Sequence, residues 1–222
     1  MRVDKDFALF YGIMVGDGCI SQSGRHTYIT VTLNIQDDKP FLDQVVHPLL
    51  AKFTGRNIAT KIRERDGAIG VNFMDKNLFN YLVSRGYPIG RKGDITIPKT
   101  FYNQNLLRYI CQGFFATDGS LVITNNNGTP YPRVETCSIS KPLMEQINLY
   151  LNNRGIKCNI YLAKRKKVFR KFGSSPQYRL QMNGKVNLSK FIKHVGFVNP
   201  KHQERLNNYL KKVPVGRIEL PT

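Results

Sequence analysis

Acidic side chains are scarce in this chain. Fifteen Asp and Glu stand against 34 Lys and Arg in 222 residues, for a formal net charge of +19. No run of about 18 apolar residues occurs, so no ordinary membrane-spanning helix is expected. The first residues, Met1-Arg2-Val3-Asp4-Lys5-Asp6, lack the apolar stretch of a signal peptide. Together these absences lead us to expect an intracellular protein, in a prokaryotic cytoplasm or an organelle matrix, with no membrane partner. The cysteines, Cys19, Cys111, Cys137 and Cys158, form no Cys-x-x-Cys pair, and His26, His47, His194 and His202 are scattered. A structural zinc site is therefore not expected, and the thiols read as reduced.

What is present is mostly positive charge, unevenly spread. Residues 1–104 hold 14 basic and 10 acidic side chains, whereas residues 105–222 hold 20 and 5. A pI near 10 favours nucleic acid as the partner. An anionic membrane is the weaker reading, because no basic amphipathic helix stands out. A solvated basic surface, as in ribosomal-type proteins, is the bland alternative.

On this basic background two short segments repeat. Phe10-Tyr11-Gly12-Ile13-Met14-Val15-Gly16-Asp17-Gly18 and Cys111-Gln112-Gly113-Phe114-Phe115-Ala116-Thr117-Asp118-Gly119 share a Gly, an apolar run and Asp-Gly, 101 positions apart. A repeat of this kind governs architecture. The first copy predicts a helix from Asp6 to Gly18, capped by Asp4 and Asp6, with Gly18 ending it in the left-handed conformation. Leu9 to Val15 is apolar all round, so the helix should be buried on several sides. Gly12, Gly16 and Gly113 would let another backbone approach closely, and the simplest partner for each repeated helix is the other one.

Strands follow each helix. From Tyr28 to Gln36 the alternation is clean, with Ile29, Val31, Leu33 and Ile35 on one face and polar residues on the other. Lys39-Pro40 opens a helix to about Phe53. Thr60–Arg65 and Ala68–Phe73 form a hairpin around Asp66-Gly67, and a helix from about Lys76 to Arg85 ends at Gly86. The second half repeats the order. Lys141-Pro142-Leu143-Met144 echoes Lys39-Pro40-Phe41-Leu42, strands lie around Ile156–Leu162 and Tyr178–Asn183, and Ser189–Val195 is helical. The strand from Arg133 to Ile139 alternates poorly, which suggests a bulge. The fold class is α+β, built from two αββαββα repeats. We place the first repeat at 1–92, a linker at 93–105, the second repeat at 106–213 and a loosely held tail at 214–222.

The pattern resembles the LAGLIDADG homing endonucleases, in their single-chain two-motif form. The resemblance implies two pseudo-symmetric repeats, each with a curved antiparallel sheet forming a DNA-binding saddle, packed through the two motif helices. An Asp at a helix C-terminus opposes the macrodipole, where a cation is preferred. Asp17 and Asp118 make poor stabilising residues but good ligands for a divalent cation, although either alone reads equally as a helix-end turn residue. The carbonyls of Gly16 and Thr117 are added ligands by analogy. Mg²⁺ is the expected ion, with Mn²⁺ or Ca²⁺ able to take the same site. The resemblance further implies metal-dependent hydrolysis of both DNA strands at a long asymmetric site, leaving short 3′ overhangs, by a monomer. Val15 and Ala116 stand where the family motif has its first acid, which we take as harmless. Lys92 and Lys201 match the lysine the family places after the last long helix of each half, with roles in polarising water or steadying the transition state. Each reads as easily as a phosphate contact or a solvated lysine.

The polar strand faces are the expected DNA-reading surface. Arg25, Thr30, Thr32, Asn34, Gln36, Lys61, Arg63, Arg65 and Asn72 would serve one half-site. Arg133, Lys157, Asn159, Lys164, Arg165, Lys167, Arg170, Arg179 and Gln181 would serve the other. Asn34 and Ser138, at strand ends, are expected near the chemistry. For any one of these, solvated surface or phosphate contact competes with base contact. Two other functions fit the same fold: an RNA-binding intron maturase, with intron RNA as partner, and a DNA-binding regulator without a working site. Retention of both Asp17 and Asp118 argues against the regulator. The missing splicing-type termini suggest a free-standing, intron-encoded nuclease over one embedded in an intein.

Overall fold

The structure is a computed structural model that describes residues 1–103, 105–163 and 176–212. The basic run at Lys164, Arg165, Lys167 and Arg170, Gln104 of the expected linker, and the tail at 214–222 lie outside the described residues. Among those described, no helix is long and apolar enough to cross a membrane. The chain forms two compact units. One comprises Met1–Arg91, Pro98–Thr117 and Phe197–Arg205; the other comprises Lys92–Ile97, Asp118–Gly196 and Leu206–Thr222.

The first unit begins with α1 (Lys5–Asp17), whose N-cap Asp4 accepts from the amides of Asp6 and Phe7. Burial raises the Asp4 carboxyl, but the Phe7 amide and Lys52 outweigh it and hold the group below its ordinary value. β1 (Gly18–Ser23) and β2 (His26–Asn34) follow, then β3 (Lys61–Arg63) and β4 (Ala68–Phe73), in an antiparallel sheet of order β1-β2-β4-β3. The inward set Ile20, Ile29, Val31, Leu33, Ile69 and Val71 is buried, as the alternation predicts. Ile62, opposite Ile69 and so on that face, is 55% exposed because β3 is the sheet edge. Aromatic packing anchors α1: Phe7 stacks on Phe101 of α5 (Lys99–Asn103), and Tyr11 meets both Phe101 and Tyr87.

Two local expectations are corrected here. Gly18 is extended (φ −87°, ψ 159°), because the chain runs straight from α1 into β1. Glycine is needed there for space instead: an added Cβ would collide with Met14, whose carbonyl oxygen would lie 2.7 Å away. The helix expected from Lys39 to Phe53 is α2 (Lys39–Phe41), a π-helical turn (Leu42–Val46) and α3 (His47–Thr54). Pro48 has no N–H for the Gln44 carbonyl, and the widened turn lies just ahead of it. α4 (Lys76–Ser84) then ends before Gly86 (φ 82°).

α6 (Leu107–Thr117) belongs to the first unit and packs along α1. A Cβ on Gly12 would run into the Ile110 carbonyl, and a Cβ on Gly113 into the Leu9 carbonyl. Gly12 and Gly113 are 101 positions apart, as are Leu9 and Ile110. Each repeat thus presents its glycine to the same backbone carbonyl of the other. The expected packing of the motif helices on each other is what this unit contains.

The second unit repeats the order: β5 (Gly119–Asn126), β6 (Thr129–Ser138), α7 (Lys141–Asn152), β7 (Asn159–Leu162), β8 (Tyr178–Asn183) and α8 (Lys185–His194), with the sheet ordered β5-β6-β8-β7. α8 starts four residues earlier than expected, behind Gly184. The expected bulge in β6 is absent, since its register with β5 and with β8 is unbroken. The alternation looks poor because buried Thr136 is an inward residue while Cys137 faces out. The Thr136 hydroxyl donates to the Asp118 carbonyl at 3.0 Å, which satisfies it inside. A final helix, α9 (Pro200–Lys212), has no counterpart in our sequence reading.

Candidate metal and nucleic-acid site

Asp17 is the last residue of α1, and Asp118 follows the last residue of α6 directly. Neither helix has a basic residue in its last turn. Both carboxylates are half-buried, between buried Val15 or Ala116 and buried Gly18 or Gly119. Gly16 and Thr117 precede them, also half-buried, and the Thr117 hydroxyl donates back to the Phe114 carbonyl at 3.0 Å. Each helix end offers a carboxylate with helix-end carbonyls beside it, a hard, oxygen-only donor set. Among the described residues no group of three or more His, Cys, Asp or Glu exists to form an all-protein cage. That set fits a small divalent ion that keeps waters and binds phosphate oxygens.

Beside the end of α6 lies a buried polar cluster absent from our sequence reading. Asn199, wholly buried, donates one amide hydrogen to Asp38 and the other to the Ala116 carbonyl, both at 2.8 Å. Its oxygen accepts from the Lys201 amide at 3.1 Å, so Asn199 caps α9. The reverse amide orientation would face oxygen against oxygen twice. Lys201, expected to polarise water or steady the transition state, holds its ammonium 2.6 Å from Asp38. Asp38 is buried and Lys201 half-buried, so removing Lys201 would leave the carboxylate without its cation, at a cost of up to about 3 kcal/mol. His202 packs beside them with neither ring nitrogen bonded, and burial pushes its pKa down to about 4. Asn199-Pro200 before a helix was a readable cap signal. Asp38 carried no signal. Lys92, in the other unit, is half-buried, and its carbonyl accepts from Ile95 in a turn.

The first sheet gathers its proposed readers on one face. Thr30 pairs with Asn72, Thr32 with Gly70, Lys61 with Gly70, and Arg63 with Ala68, so all these positions face together. Together with Gly70 they line a groove of about 300 Å³. Arg25 sits in the β1–β2 turn; Arg65 lies in the β3–β4 turn, 3.2 Å from Asp66. Asn34 ends β2 and accepts from the Gln36 and Asp37 amides, closing the turn that carries Asp38. Ser138 ends β6 and accepts from Ser140.

On the second sheet Arg133, Gln181, Arg179 and Asn159 share the outward face, while Lys157 precedes β7. Their organiser was overlooked. Glu135 lies 2.9 Å from Arg133 and 3.9 Å from Arg179, and accepts from Gln181 at 2.7 Å. The one acid of β6, two residues from the strand's one arginine and so on the same face, was the available signal.

Comparison with known proteins agrees with this geometry. A sequence model described as a LAGLIDADG-like domain matches residues 105–196. No curated protein matches the sequence. Among solved structures, I-DmoI in complex with DNA and Ca is similar at 18% identity and a TM-score of 0.60, over 92% of this chain and 97% of that one. The I-LtrWI LAGLIDADG homing endonuclease bound to target DNA aligns at 11% identity and 0.60, over 97% and 100%. The LAGLIDADG meganuclease I-AabMI bound to uncleaved DNA aligns at 12% and 0.59, over 94% and 90%. At these identities the likeness establishes the fold.

Proposed function

We propose that this chain, with a LAGLIDADG-like domain in its second half and the fold of the single-chain LAGLIDADG homing endonucleases, is a site-specific double-strand DNA endonuclease. The observation that carries the reading is the repeated helix end. Two helices matched at their glycines each carry, at or just past the last residue, an Asp that the helix dipole disfavours, in a protein of net charge +19. I-DmoI is also known in complex with DNA and Mn, which supports a divalent cation here.

In this reading Asp17 with the Gly16 carbonyl, and Asp118 with the Thr117 carbonyl, are ligands for Mg²⁺, Mn²⁺ or Ca²⁺. A divalent cation so bound would acidify a water for attack on phosphorus and supply positive charge for the leaving oxygen. Lys92 and Lys201 add positive charge near the scissile phosphates, Lys201 while paired with Asp38. The strand faces hold the DNA: Arg, Asn and Gln side chains read base edges, and the other cations contact phosphates. Because the two faces differ, the site they read is asymmetric. The chain acts as a monomer, is intron-encoded, and leaves short 3′ overhangs, one cut per Asp.

The test is cleavage of a DNA library holding uninterrupted host-gene alleles, with Mg²⁺, by wild type, Asp17→Asn and Asp118→Asn. Wild type should cut one site on both strands, and the variants should bind it without cutting. Failure of wild type to cut any intron-lacking allele refutes the endonuclease. Asn variants that cut at the wild-type rate refute the metal assignment.

A further inference from the structure

The last carbonyls of a helix have no partner inside it, so whatever holds them sets how the next residue leaves. In α1 the Met14 carbonyl takes the Gly18 amide and, at 2.6 Å, the hydroxyl of Tyr87. The same hydroxyl lies 3.1 Å from the Gly18 carbonyl. One buried phenol therefore bridges the carbonyls on either side of Asp17. Burial keeps that phenol protonated far above the ordinary tyrosine range, so it stays a donor. In α6 the matching end is held by Asn199 at the Ala116 carbonyl, two residues before Asp118.

Both holders arrive by the same route. Tyr87 follows Gly86 (φ 82°) after α4, and Asn199 comes three residues past Gly196 (φ 83°) after α8. Thus the segment closing each repeat returns to the end of that repeat's motif helix. Met14 and Ala116 sit at neighbouring positions of the two copies, one residue apart on the repeat register. A phenol does the work in one half and an amide in the other. Different chemistry holding adjacent carbonyls of the same last turn indicates a demand on that turn that sequence similarity alone would not produce. Asn199 is further fixed by Asp38 and by its cap on α9, and Tyr87 by its contact with Tyr11.

We propose that Tyr87 and Asn199 are positioning residues, each orienting the carboxylate of its own repeat, and so each governing the cut of one DNA strand. This rests on the reading of Asp17 and Asp118 as metal ligands. Partners bonded to metal ligands typically alter affinity or rate by about 10–100-fold, and these two hold neighbouring carbonyls, so the lower end of that range is expected.

The experiment compares wild type with Tyr87→Phe and Asn199→Leu by three readouts. In metal-free protein, amide exchange should quicken around residues 14–18 in Tyr87→Phe and around 113–118 in Asn199→Leu. Mn²⁺ titration of the DNA-bound protein should show one of its sites weakened about tenfold in each variant. On a supercoiled target plasmid, each variant should accumulate nicked circles, and the slow strand should differ between the two variants. Affinity for DNA without divalent metal should remain within twofold of wild type. Equal slowing of both strands, or slowing with Mn²⁺ affinity unchanged, overturns the proposal. If wild type cuts no site while the exchange and Mn²⁺ effects appear, positioning stands and the endonuclease reading fails. If Asn199→Leu does not fold, Tyr87→Phe, which removes one oxygen, decides alone.

Discussion

Replacing Gly12 by alanine sets two effects of opposite sign against each other. In an isolated helix the change stabilises by about 1 kcal/mol, because glycine is the poorer helix former. Here the new Cβ would overlap the Ile110 carbonyl oxygen, with the carbonyl carbon at 2.9 Å and Ile110 Cα at 3.0 Å. Carbon atoms pack best at about 3.5–4.0 Å, so α1 and α6 must part by about 1 Å. The obstacle is backbone and has no rotamer to turn away. A gap of that size forfeits up to about half the attraction at each contact along the seam, and overpacking of this kind costs about 1–3 kcal/mol. With helix propensity set against the upper part of that range, Gly12→Ala should destabilise by about 2 kcal/mol. For a chain of this size the melting temperature should fall by roughly 4–8 °C. Gly113→Ala should do the same, since its Cβ would lie 2.6 Å from the Ile13 nitrogen. The double variant should cost less than the two singles added, because helices already parted have room for the second methyl. Thermal unfolding by circular dichroism measures all three. An unchanged or raised melting temperature for Gly12→Ala would refute the close seam.

Two further outcomes are open to direct measurement. His202 has a folded pKa of about 4, below its unfolded value of about 6.5, through burial and then the charges of Lys201 and Arg205. Its neutral form is the folded one, so its contribution is complete above pH 6.5 and is lost as pH falls towards 4, by about 3 kcal/mol in all. Urea unfolding across that range should show the loss in wild type and a flatter profile in His202→Phe; identical profiles would refute the assignment. Replacing Glu135 by alanine frees Arg133 and Arg179 from their shared carboxylate. Non-specific DNA binding should tighten, and its salt dependence should steepen by about one unit of slope per cation freed onto phosphate. Fluorescence anisotropy over a salt series reads this, and an unchanged slope would show that those arginines do not meet DNA.

The architecture was open to sequence reading because it depends on local, repeated signals. Alternation around Ile29–Leu33 placed β2, Asp66-Gly67 placed the β3–β4 hairpin, and the spacing of Gly12 and Gly113 announced the helix pair. What escaped depended on partners distant in sequence. The inward place of Thr136 makes sense only once its hydroxyl has found the Asp118 carbonyl, and without that bond the strand looked broken. Asp38 was one acid in a loop until Asn199, 161 residues away, reached it. The wide turn before Pro48 answers a missing amide that a helical pattern does not register. The catalytic assignments of Asp17, Asp118, Lys92 and Lys201 still rest on position and chemistry, and the cleavage and Mn²⁺ experiments address them.

The crossed contact of Gly12 with Ile110 and Gly113 with Leu9 has a consequence for how such a chain can change. It is the contact of a two-fold dimer written into one polypeptide. A change on one helix that alters the spacing must be met by its counterpart 101 residues away, whereas a change on a strand face obliges nothing in the other half. The seam therefore holds the halves to a common pattern while their outward faces are free to diverge. A hybrid joining either half to a different relative should be limited first by whether the two seams match, and only afterwards by what the faces recognise.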